Sequence, residues 1–121
     1  MKRSSYDRRS AEHLLPLLRS IASEITERSD AIEALEERLL VLRGSQKGGK
    51  PSNEFLNLQS ELSSQRREAR LSRLELARLG CTLDEDRPLR VLIPGVDGNF
   101  DSGYAWDGRL NALVPATIAT T

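Results

Sequence analysis

Apolar residues recur along the first two thirds of the chain in alternating steps of four and three. They run Leu14, Leu18, Ile21, Ile25, Ile32, Leu35, Leu39 and Leu42, with Arg28 holding the step between Ile25 and Ile32, and then Phe55, Leu58, Leu62, Ala69, Leu76 and Leu79, with Gln65 and Ser72 holding the steps between. This spacing holds one stripe on one side of an α-helix and is the seam spacing of a coiled coil. It predicts helices over residues 7–43 and 53–79, joined over 44–52 by a Gly/Lys-rich connection that reads as flexible. Folded back on that connection, the two form a long antiparallel helical hairpin.

Each helix has start signals. Asp7 can cap the first, with Tyr6 before it able to staple onto Ala11; Ser52 or Asn53 can cap the second. Pro16 removes the bond to the carbonyl of Glu12, which predicts a kink there or a short turn before the main helix. Gly44, directly after Leu42 and Arg43, is a plausible stop.

The seams have one polar interruption in common. Arg28 stands where a Leu or Ile belongs, and in the folded hairpin it faces Ala69 while Ile32 meets Gln65. A small residue opposite a long one makes Arg28, Gln65 and Ala69 coherent as a shared layer. Either the Arg28 stem lies along the seam with its guanidinium reaching solvent, Glu24 or Glu27, or the layer is buried and fixes register or pairing.

After Gly80 the period drops to two. Leu89, Val91 and Ile93 alternate with Arg90 and Leu92; Phe100, Ser102, Tyr104 and Trp106 share one side of the next run; Leu110, Ala112 and Val114 follow. Turns are marked at Pro94-Gly95, at Asp97-Gly98-Asn99 and, as a tight hairpin, at Asp107-Gly108. The fold class is therefore mainly α: a helical hairpin with a small C-terminal antiparallel β-meander over 88–114 packed on it near Leu71, Leu74 and Cys81, in a single domain. Residues 115–121 read as a loose tail.

Composition narrows the function more than it identifies one. Charged residues make up 30% of the 121 and aromatics 4%, which fits a solvated helical protein better than a reader of nucleic acid built on stacking rings. Eighteen basic and eighteen acidic residues cancel, so no net field steers the chain toward nucleic acid or anionic lipid. Cys81 is the single cysteine, which excludes an intrachain disulfide and fits a reducing cytoplasm. The basic start is followed by charged residues, which does not read as a secretory signal, and no run approaches a membrane span.

Three groups of residues are candidates for interaction. Leu56, Leu71 and Leu74 lie off the seam, and apolar surface of this kind is covered by another element, a second copy or a protein partner. Arg66, Arg70 and Arg73 share one helical face and support an alternative role beside nucleic acid, against which Glu68 and Glu75 are interleaved. Tyr104, Trp106 and Arg109 are the one plausible lining for a small-molecule pocket between hairpin and meander.

Metal and catalytic signals are weak. Asp97-Gly98-Asn99-Phe100-Asp101 spaces oxygens as a calcium loop does, but Ser102 stands where such a loop has Gly and Gly108 where it has its bidentate Glu, so turn chemistry accounts for it. Asp84-Glu85-Asp86 reads as a charged linker. His13 is the single histidine, remote from Cys81. No catalytic residue, metal or cofactor is assigned.

The segment from Tyr6 to Arg19, with Tyr6, Ala11, Leu15, Pro16 and Arg19 in register, resembles the opening of a bacterial family, Domain of Unknown Function 2203. The later order of a second helix, Gly80, and a strand region with Pro94 and Trp106 is also similar. The chain departs from that family at Leu92-Ile93-Pro94 and Tyr104-Ala105-Trp106, and lacks its later Trp-His pair. The resemblance implies the fold and no activity. The leading reading is a non-catalytic interaction or scaffold module, homodimeric, with nucleic-acid association second and a small-molecule enzyme third.

Overall fold

The computed structural model describes residues 5–45, 50–84 and 87–116. Helices α1 (Arg8–Ser45) and α2 (Asn53–Arg78) pack together and lead into strands β1 (Thr82–Asp84), β2 (Arg87–Ile93), β3 (Tyr104–Asp107) and β4 (Ala112–Pro115). The strands pair in chain order as one antiparallel sheet. The architecture is mainly α with a small C-terminal β-meander.

Capping chemistry sets where the helices begin. The Asp7 carboxylate accepts from the Ser10 amide at 2.8 Å while the Ser10 hydroxyl accepts from the Asp7 amide at 3.0 Å, so two free donors are satisfied reciprocally. Ser52 caps α2 by accepting from the Phe55 amide at 3.1 Å. Pro16 does not divide α1, which runs through it as a single helix; it lies exposed, where water can replace the bond its ring removes. Gly44 does not stop α1 either, since the helix reaches Ser45, and the remainder of the connection, 46–49, lies outside the described residues.

Helix α2 ends in a glycine-dependent turn. The Cys81 amide donates to the Leu76 carbonyl at 3.2 Å and the Gly80 amide to that of Ala77 at 2.9 Å, with Gly80 at φ 80°. This is the Schellman arrangement, which a residue with a Cβ enters at a cost. It reverses the chain, drives Cys81 into the core and starts β1 at once.

The seam positions divide into two apolar clusters. Near the connection, Leu35 and Leu39 pack with Phe55, Leu58 and Leu62. At the other end, Leu18, Ile21 and Ile25 pack with Leu76, Cys81 and the sheet. Arg28 and Gln65 lie between the two.

The sheet contributes one row that crosses all four strands: Leu83 opposes Val91, Val91 opposes Trp106, and Trp106 opposes Leu113. These side chains join the cluster with Ala11 and Ala22 of α1, small residues that let the sheet approach the helix closely. The sheet therefore covers a flank of α1. It packs with Cys81, as expected, but does not cover Leu71 and Leu74, which remain 53% and 48% exposed.

Several boundaries differ from the sequence reading for local reasons. Strand pairing begins at Thr82, so Asp84 belongs to a strand and not to a linker. Phe100, Ser102 and Leu110 lie in turns, not strands. Asp107 opposes Ala112, which leaves a four-residue loop, 108–111, in place of a tight hairpin at Asp107-Gly108. The Asp107 carboxylate accepts from the Arg109 amide at 2.9 Å, and Asn111 takes φ 50°, so side-chain turn chemistry closes this loop. Pro115 ends β4 and Ala116 is buried, its amide donating to the Gly103 carbonyl, so the tail begins later than expected; 117–121 lie outside the described residues.

Candidate interaction surfaces

The polar layer joins the two helices directly. Arg28 Nη1 donates to Gln65 Oε1 at 3.1 Å, and Arg28 Nη2 lies 2.8 Å from Glu24 Oε1. The guanidinium is about a third exposed, so its stem follows the seam while its head reaches both a neighbour on its own helix and the opposite helix. Ala69, one turn from Gln65 on α2, is buried and belongs to neither apolar cluster.

The outer face of α2 combines apolar and charged residues in a sided pattern. Leu71 and Leu74 are exposed there, one turn apart. Glu61, Glu68 and Glu75 recur every seven residues along one flank, and Arg66, Arg70 and Arg73 occupy the other. Arg66 lies 3.9 Å from Glu36 of α1, a long contact between half-exposed groups that contributes little. Leu56 is exposed too, but it sits fifteen residues before Leu71, near the start of α2.

A second surface lies where the hairpin meets the sheet. A groove of about 530 Å³ runs between α1, α2 and the edge formed by β1, β2 and the 108–111 loop. Ile25, Leu83 and Leu89 supply its apolar floor. Asp30 and Glu33 of α1, Arg73 of α2, Asp84 of β1 and Arg109 of the loop supply its charged groups.

Trp106 faces the core and not the expected small-molecule pocket. Trp106 is 2% exposed and packed in the core, and Tyr104 is half-buried against the same cluster. The reason is register: alternation in β3 that places Trp106 opposite Val91 points it inward at α1. Its indole N–H is buried without a partner, the one such side-chain atom among the described residues. Of the three, Arg109 lines the groove between hairpin and sheet.

Other candidate groups are consumed locally. Asp97 accepts from the Asn99 amide at 2.9 Å and from the Ser102 hydroxyl, whose bond, followed by the Asn99 amide, holds the carboxyl below the usual carboxylate range. Burial pushes the Cys81 thiol up to about 12, which leaves it neutral and unreactive near pH 7. No three His, Cys, Asp or Glu residues form a metal-sized group among the described residues.

Long-range contacts that local pattern does not signal hold these surfaces in place. The Tyr6 hydroxyl donates to the Leu79 carbonyl at 2.6 Å, tying the start of α1 to the end of α2. Arg19 Nη2 donates to Asn111 Oδ1 at 2.8 Å, which braces the loop residue with positive φ. Arg90, on the sheet face opposite Val91, is 6% exposed and lies 3.6 Å from Asp84 Oδ2. Its place between Leu89 and Val91 reads as solvent-facing in an alternating strand, so nothing in the sequence marks it as buried.

No described helix is long and apolar enough to cross a membrane. No protein-family model, curated protein or solved structure matches the chain.

Proposed function

We propose that this chain is a non-catalytic protein-interaction module that self-associates through the outer face of α2. The observation that carries the reading is the exposure of Leu71 and Leu74 on a face that neither α1 nor the sheet covers. A second copy is the occupant that the flanking charges favour. Two α2 helices lying parallel bring the Glu61, Glu68 and Glu75 flank of one against the Arg66 and Arg70 flank of the other, and the reverse on the far side, as in parallel helix pairs. Arg67 and Arg78 bracket the two leucines, so the apolar contact is short and the association is weak and sensitive to salt.

The nucleic-acid reading has less support, because the three arginines share their helix with an equal file of glutamates and carry no interleaved aromatic residue. Likeness to Domain of Unknown Function 2203 belongs with the proposal. Tyr6, Ala11 and Arg19, three residues of the shared motif, are the ones that tie α1 to Leu79, the core and Asn111. That is a structural reason for the motif and assigns it no chemistry.

Sedimentation equilibrium tests the reading. The expected result is a dimer at concentrations of tens of micromolar and low salt, reduced to monomer in a Leu71→Glu, Leu74→Glu variant that keeps its helical circular dichroism. A monomer at 1 mM in low salt would overturn it.

A further inference from the structure

The groove at the junction of hairpin and sheet carries its own inference, independent of the α2 outer face. Its floor is apolar, from Ile25, Leu83 and Leu89, and its charged groups come from separate elements: Asp30 and Glu33 from α1, Arg73 from α2, Asp84 from β1 and Arg109 from the 108–111 loop. Asp84 lies 3.6 Å from Arg90 of β2, which leaves two guanidiniums and two carboxylates in the groove. Among the described residues none of these four makes an ion pair within 4.0 Å. These carboxylates and guanidiniums therefore do not satisfy each other.

We propose that this groove binds a short zwitterionic peptide with apolar side chains. The free ammonium end goes to Asp30 and Glu33, the carboxylate end to Arg109 and Arg73, and the side chains lie on Ile25, Leu83 and Leu89. A bound peptide completes two charge pairs that the chain leaves open. The volume of about 530 Å³ suits two or three residues and is generous for a single amino acid. A guanidinium fork accepts a carboxylate in two parallel hydrogen bonds, which is why the carboxylate end is assigned to the arginines.

The test uses the full chain and leucyl-leucine as the probe, followed by amide chemical shifts and calorimetry. Expected shifts concentrate at Ile25, Ser29, Asp30, Leu83, Leu89 and Arg109. Blocking either end of the probe, as N-acetyl-leucyl-leucine or leucyl-leucine amide, weakens binding about tenfold, and so does Arg109→Gln or Asp30→Asn. Both substitutions are at exposed positions, away from Leu71 and Leu74, so fold and association state serve as controls. Absence of shifts in the groove at 10 mM dipeptide would overturn the proposal, as would equal affinity for a probe blocked at both ends.

Discussion

Arg28 and Gln65 form a hydrogen bond of 3.1 Å between α1 and α2 at the level where the two apolar clusters of the hairpin part. The pair substitutes for a hydrophobic layer and leaves the guanidinium partly in water, with Glu24 beside it. Replacing both residues, as Arg28→Leu with Gln65→Leu, joins the clusters into one continuous seam. Exchanging a polar pair of this kind for packed leucines stabilises by about 1 to 3 kcal/mol. Chemical denaturation measures it, and a less stable double variant would show that the polar layer is worth more than the packing it displaces. Gln65→Ala alone should destabilise, because Arg28 then loses its partner across the seam.

Tyr6 ties the chain's two helical ends together through its hydroxyl. Tyr6→Phe keeps the ring on the core cluster and removes only the bond to the Leu79 carbonyl. A loss of roughly 1 kcal/mol follows, with native circular dichroism retained. If the urea midpoint does not move, water replaces the bond at no cost.

The Cys81 thiol is closed to reagents while the protein is folded. At pH 8 an aromatic disulfide reagent should label it only as fast as the protein unfolds, and at once in concentrated urea. Its folded pKa of about 12 is above the ordinary 9.0, so the neutral thiol favours the folded state. That contribution is complete below pH 9 and is lost as pH rises from 9 toward 12. Immediate labelling of the folded protein would mean that the α2–β1 turn opens readily.

Asp97 runs in the opposite direction. The Ser102 hydroxyl, and after it the Asn99 amide, stabilise its charged form, so the folded pKa lies below the ordinary 3.8. The contribution is present above pH 3.8 and is lost as pH falls through the folded value. Carbon-detected titration should place Asp97 below 3.8 in the native protein and move it upward in Ser102→Ala. A titration at or above 3.8 in the native protein would contradict the observed turn.

The β2–β3 loop has a steric constraint that substitution can read. A Cβ on Gly103 would fall 1.9 Å from the carbonyl oxygen of Ile93, inside the backbone, where no rotamer can relieve it. Gly103→Ala should cost about 3 kcal/mol or force the loop to rearrange. Gly44→Ala, with open space around its Cβ, serves as the control and should stabilise slightly.

The two seams were legible because helical periodicity is local. Whether Leu18 or Leu62 faces the partner helix depends only on 3.6 residues per turn and on the reversal between the helices, and both are written in the spacing of the apolar residues. For the same reason Arg28 and Gln65 could be placed in one layer. The meander was legible as a change of period after Gly80, although its first strand, at Thr82–Asp84, is too short to show one.

What covers what was decided elsewhere. The pattern of the sequence points the sheet to Leu71 and Leu74, and the structure seats it on Ala11 and Ala22 instead, leaving the leucines exposed. Ala11 and Ala22 leave room for Trp106, Val91 and Leu83, whereas leucines at those positions would hold the strands off. The gathering of Arg73 and Arg109 in one groove with Asp30 and Glu33 follows from that docking. Hydrophobic and charged periodicity determines the face of each element, because it depends on neighbours three and four residues away. The choice between faces depends on the volumes that meet across the core, and those meet only when the chain is folded.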